Sequence, residues 1–212
     1  PIYARCDNPM RSLIGLTYYR PHYSGLTIYT ERLARTLAAR GHEVTVWTSH
    51  FDPGTPEDEV KDGVHIIRVH VGLRLSKGVI MPRMPLVARQ LIKTADVINL
   101  HVPQMDAAYL AVMSRWMGKP VVLTYHCDLR LPTGVIHSLA NLGSNLANIL
   151  SANLANVIVT NTRDFAEHSS FLHHYLDKVE PVLPPVELPS IGDGDLSAFR
   201  EKHNLRPDEK II

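Results

Sequence analysis

Short apolar runs alternate with segments of helical spacing along the whole chain. Runs at 13–17, 44–48, 65–71, 97–101, 121–125 and 157–160 predict buried strands, because continuous rather than alternating hydrophobicity marks strands covered on both faces. Between them, 26–40, 86–94, 104–117, about 135–154 and 163–175 predict helices. In the first, Leu26, Tyr29, Thr30, Leu33, Ala34, Leu37 and Ala38 recur at helical spacing, and Gly41 stands where a left-handed C-terminal cap belongs. In the fourth, Leu139, Leu142, Leu146, Ile149 and Leu150 are expected to face the core. Strand–helix alternation of this kind predicts an α/β fold, a Rossmann-like doubly wound parallel sheet with right-handed crossovers.

Ligands of such sheets bind beyond the carboxyl ends of the strands. That rule directs attention to 22–25, 101–104 and 126–130. The first stretch ends in Ser24-Gly25 ahead of a helix, whose free N–H groups and dipole suit a phosphate or a polar sugar. Ser24 is a candidate N-cap, and Gly25 permits close approach of a ligand to the backbone. His101 and Gln104 follow one strand. His126, Cys127, Asp128 and Arg130 follow another, and a histidine, an acid and a base at one strand terminus suit a polar ligand. Equally, His101 and His126 read as histidines satisfied inside the fold. Cys127 is not expected to act with His126, because adjacent strand residues point to opposite faces.

Towards its end the chain turns proline-rich over 182–192, as an extended linker does. Asp195 or Ser197 is expected to cap a short helix running to about 203. A last apolar start at 210–212 predicts that the natural chain continues, since a lone strand is not stable. The expected layout is an extension over 1–9, one Rossmann-like domain over 10–190, and a linker with the start of a second domain over 191–212.

Composition narrows the partners. The 212 residues are 45% hydrophobic and 20% charged with a net charge of +1, ordinary for a globular protein and giving no field that argues for nucleic acid. Cys6 and Cys127 make no disulfide framework, which points to a reducing cytoplasm. No apolar run approaches the ~20 residues of a membrane span. The 12 histidines include no H-E-x-x-H motif, and no paired C-x-x-C accompanies them, so neither a metal nor a cofactor is expected. Asp193-Gly-Asp195 is read as a turn and helix cap rather than a metal motif. The loop 72–83 mixes basic and apolar residues. It is read chiefly as an ordinary loop packing Val79, Ile80 and Met81, and alternatively as a peripheral contact with anionic lipid.

Four segments carry a family resemblance. They are Tyr18-Tyr-Arg-Pro-His22 with Ser24-Gly25 and the later Arg40-Gly-His-Glu-Val-Thr-Val46; Ala95-Asp-Val-Ile-Asn-Leu-His101; Lys119-Pro-Val-Val-Leu-Thr-Tyr-His126; and Leu154-Ala-Asn-Val-Ile-Val-Thr-Asn-Thr162. In order and spacing they resemble the N-terminal half of a retaining, family-four glycosyltransferase of the two-domain GT-B fold. The family's usual glycine pair is reduced here to Ser24-Gly25. The resemblance implies a nucleotide-sugar donor and a glycan or lipid-linked hydroxyl acceptor, with no obligatory metal. His126 is then expected to face the transferred sugar and Ser24 and Gly25 the donor. His22, Tyr23, His101, Gln104, Asp128 and Arg130 are expected on the acceptor side. The missing C-terminal domain would grip most of the nucleotide, so this stretch alone is expected to be inactive. The rival readings are a non-catalytic α/β ligand-binding module and a sugar-nucleotide epimerase of the same fold, which needs carboxylates in the cleft.

Overall fold

The computed structural model describes residues 8–75, 78–104, 106–128, 135–187, 192–206 and 209. In chain order the elements are β1 (Arg11–Gly15), α1 (Gly25–Ala39), β2 (Glu43–His50), β3 (Asp58–Lys61), β4 (Val64–His70), β5 (Leu73–Leu75), β6 (Gly78–Ile80), α2 (Met84–Thr94), β7 (Val97–Val102), α3 (Ala107–Trp116), β8 (Val121–Tyr125), α4 (Val135–Leu154), β9 (Val157–Thr160), α5 (Arg163–His168), β10 (Val179–Pro181) and α6 (Asp193–Lys202). Eight strands form one sheet in the order β10-β9-β8-β7-β1-β2-β4-β3. All neighbours are parallel except β3 and β4. The Rossmann-like reading therefore holds, with the strand order reversing on either side of β1.

The predicted strands are buried for the expected reason. Alternate residues of β7 send Ile98, Leu100 and Val102 into a core shared with α2 and α3, while His101 points to the opposite face. On that opposite face, α1 lays Leu26, Leu33, Ala34 and Leu37 over Ile14, Val44, Val46, Val64 and Ile66. The α1 helix starts on Ser24, whose hydroxyl accepts from Thr27 N–H at 3.2 Å. It ends before Gly41, at φ 96°.

Five features depart from the sequence reading. The short strands β3, β5, β6 and β10 were not anticipated. β3 joins β4 through Asp62 and Gly63, both at positive φ, an Asp-Gly hairpin turn. Helix 163–175 is broken at Ser169, leaving α5 and a 3-10 turn at Leu172–Tyr175. The loop 72–83 buries Val79 and Met81, as read, but leaves Ile80 exposed.

The fourth departure is in α4, which is turned the other way round. Leu142, Leu146, Ile149 and Leu150 are exposed, while Ser144, Asn148, Ser151 and Ala152 are buried. Leu139 belongs to the part of α4 whose side chains are not described. The cause is the neighbour. α4 packs along α3, whose buried residues are Ala107, Leu110, Ala111 and Ser114, three of the four small. Small side chains on both helices allow close backbone approach, and bulky leucines there would force the helices apart. The Ser144 and Ser151 stripe therefore takes the inside.

Near the end of the described chain, α6 starts earlier than read: Gly192, not Asp195 or Ser197, is its N-cap, and Asp195 reaches back from the first turn to accept the Gly192 N–H at 3.0 Å.

Candidate functional site

The carboxyl ends of β1, β7 and β8 converge on two histidines. His101 is the fifth residue of β7 and is completely buried. His126 follows β8 directly, and its backbone N–H donates to Val102 O at 3.2 Å. Their rings stack with centroids 5.1 Å apart, and His101 Nδ1 lies 2.9 Å from His126 Nε2. Tyr29, one turn into α1, meets both rings edge-on, at 5.7 Å for His101 and 5.0 Å for His126. Thr30 Oγ1 lies 3.2 Å from His101 Nδ1. The α1 N-terminus and both strand ends thus meet at one place.

Burial sets the charge there. Desolvation holds His101 well below the ordinary imidazole pKa, and the neighbouring His126 adds to the effect. Desolvation also lowers His126, to about 4. Both rings are neutral at pH 7. Asp106, at the start of α3, is pushed up to about 6 by burial. Burial likewise raises the Tyr29 phenol.

The other sequence-predicted residues divide clearly. Gly25 opens α1 with free space around its Cα: a Cβ there meets nothing within 4 Å. Ser24 is occupied as the helix cap. Gln104 is buried, its Oε1 accepting from Thr17 Oγ1 at 3.4 Å and its Nε2 left without a partner. Asp128 serves the fold. Its carboxylate accepts from Tyr125 Oη at 2.9 Å, Ser169 Oγ at 2.7 Å, Ser170 N–H at 3.1 Å and Ser170 Oγ at 3.0 Å. Burial alone raises its pKa, but these hydrogen bonds outweigh that and hold it below the usual range. Cys127 is exposed and its thiol is raised by burial and by Asp128, so it is no activated nucleophile. Arg130 lies outside the described residues.

His22 and Tyr23 lie in a second, ionic region. His22 stacks on Tyr18 at 5.0 Å and stands edge-on to Phe51. Tyr23 is 74% exposed, with the Arg20 guanidinium 3.8 Å from its ring centre. Arg20 donates to Glu31 through Nε at 2.6 Å and through Nη2. Arg68 is buried and binds Glu59 at 2.5 Å, Pro56 O at 2.8 Å and Arg20 O at 3.1 Å. Between these groups lies a cavity of about 320 Å³ lined also by Arg35, Lys61 and Asp62.

Sequence reasoning missed Tyr29 and Thr30 as site residues. Both lie one turn or slightly more beyond Gly25, on the face of α1 that turns to the strand ends, and that spacing was the available signal. Among the described residues, no group of three His, Cys, Asp or Glu side chains could hold a metal ion. Among them, no helix is long and apolar enough to cross a membrane.

Comparison with known proteins bears on the fold and the family. The chain is similar in structure to a glycosyltransferase from Rickettsia africae ESF-5, with a TM-score of 0.56 at 13% identity. That match covers 95% of this chain and 51% of the other, so the chain spans about half the length of that structure. A 3-dehydroquinate dehydratase from Aquifex aeolicus VF5 scores only 0.30 at 11% identity, over 93% of this chain and all of its own. No curated protein matches. The family profile described as Glycosyltransferase Family 4 matches residues 23–188, most of the chain, including the strand ends at His101 and His126. On that match, the chain belongs to Glycosyltransferase Family 4.

Proposed function

We propose that this chain forms the acceptor-side half of a retaining glycosyltransferase working in the cytoplasm. The reaction moves a sugar from a nucleotide-diphosphate donor to a hydroxyl of a glycan or a lipid-linked sugar. The observation that carries the reading is the neutral His126, at the end of β8 and against Tyr29 of α1. A neutral imidazole there offers a hydrogen bond to a sugar hydroxyl without placing a fixed cation beside the oxocarbenium-like charge that develops on the sugar. The open backbone at Gly25 and the α1 N-terminus suit the donor's phosphates. His22, Tyr23 and Gln104 belong to the acceptor-side surroundings, the fully buried His101 supports His126, and a second domain supplies the rest of the donor site. Asp128 weighs against an epimerase, because its carboxylate is already engaged by Tyr125, Ser169 and Ser170.

The test is a panel of nucleotide sugars offered to this 212-residue chain and to a longer protein carrying a second Rossmann-like half. Transfer by the longer protein alone, with the anomeric configuration retained in the product, supports the proposal. Transfer by the 212-residue chain alone overturns the two-domain reading. Ligand binding without transfer by either protein favours a non-catalytic binding module.

A further inference from the structure

The hydrogen atoms around His101 can be assigned. The Thr30 hydroxyl has one proton, and it donates to Leu26 O at 2.9 Å, one turn back along α1. The 3.2 Å contact between Thr30 Oγ1 and His101 Nδ1 must then be made by an N–H on His101. The same Nδ1 lies 2.9 Å from His126 Nε2, so with the proton on His101 Nδ1 it is His126 Nε2 that accepts. A second observation gives the same answer. His101 Nε2 is buried and has no hydrogen-bond partner. Placing the proton there would leave a buried N–H donor orphaned, which costs more than leaving the ring's acceptor nitrogen unpaired. A proton on Nδ1 satisfies both Thr30 and His126 at once.

We infer that His101 is a positioning residue that fixes His126 in its Nδ1–H tautomer. With Nε2 accepting from His101, the single proton of the neutral His126 ring sits on Nδ1. The ring is thereby fixed as a donor through one nitrogen, and the stack with His101 and the edge of Tyr29 hold its plane. The use of this donor on a sugar hydroxyl rests on the glycosyltransferase reading. The tautomer does not, and it is set by Thr30, His101 and burial.

Long-range proton–nitrogen correlation spectra of the ¹⁵N-histidine-labelled 212-residue chain at pH 7 read the tautomer of each ring directly. The expected result is His101 and His126 both protonated at Nδ1. A His126 protonated at Nε2 overturns the inference, and this needs no variant. In His101→Leu, His126 should move to the Nε2–H form or to a mixture. In His101→Asn, whose amide N–H can replace Nδ1–H, it should stay Nδ1–H. A folded His101→Leu protein with an unchanged His126 tautomer also overturns it. In the longer enzyme, His101→Leu should lower kcat about tenfold or more with little change in donor KM, and His101→Asn should recover most of the loss. An Nδ1–H tautomer in a protein that transfers no sugar would remove the functional reading and leave the positioning role intact.

Discussion

Two polar clusters stand at the carboxyl edge of one sheet and handle burial differently. At β7 and β8, burial lowers the pKa of His101 and His126, and their rings meet nitrogen to nitrogen at 2.9 Å. Near the ends of β1 and β4, Arg20 and Arg68 are paired with Glu31 and Glu59. An ion pair of this sort fixes geometry, because each partner left alone would be a buried charge. A neutral imidazole pair costs less to bury and leaves a donor for something else. The contrast sets the two clusters apart: the arginines hold the β1–α1 loop to the β3–β4 hairpin, and the histidines pair with each other beside Tyr29.

The comparison can be broken at four points. Arg68→Ala should have the largest effect, about 3–5 kcal/mol of lost stability, since Glu59, Pro56 O and Arg20 O lose their common partner. Urea denaturation midpoints measure it, and a loss under about 1 kcal/mol would mean that the ionic cluster is not scaffold. His126→Ala should lower kcat of the full-length enzyme by about a hundredfold, or about 2.7 kcal/mol, with donor KM and melting temperature much less changed. A destabilised variant with normal turnover per folded molecule would return His126 to the core.

The third point is pH. The pKa of His126 is lowered on folding, to about 4 from 6.5, so the unfolded chain binds more protons between those values. Its contribution is fully present above pH 6.5 and is lost as pH falls towards 4. His101 acts with the same sign. Stability should fall by about 1.4 kcal/mol per pH unit across that window, and the slope should flatten in His126→Asn. A flat wild-type profile would refute the neutral, buried pair. The smallest structural effect is expected at Gly25. Its Cβ direction is open, so Gly25→Val should fold with a change under about 0.5 kcal/mol. It should still cost the enzyme about tenfold in kcat/KM if a ligand approaches that backbone. Unchanged kcat/KM would place the donor elsewhere.

Six of the seven parallel strands were legible because they carry apolar runs bounded by turn residues, as in β7 and β8; β10, Val179-Glu-Pro181, carries none. The short edge strands were not: Asp58–Lys61 is almost wholly polar, and its pairing comes from β4 and the Asp62-Gly63 turn. The orientation of α4 was misread because the leucine stripe obeys helical spacing as well as the Ser144–Ser151 stripe does. Only the small residues of α3 decide between them. In the site, the strand-end rule found His101 and His126 but not Thr30, whose role exists only when α1 lies across β7. The sequence also offered Asp128 as a ligand group, with nothing to show that Ser169 and Ser170, 41 and 42 residues away, would occupy it.

That carboxylate has a dynamic consequence. Asp128 fastens the segment leaving β8 to the corner where α5 gives way to the 3-10 turn. Fraying that starts at the outer strand β10 and spreads inwards must break this clasp before it reaches His126. Amides of 126–128 and 169–172 should therefore exchange with solvent as one cooperative group, slower than the β10 edge. The stillness of the imidazole is set partly by two serines that never touch it.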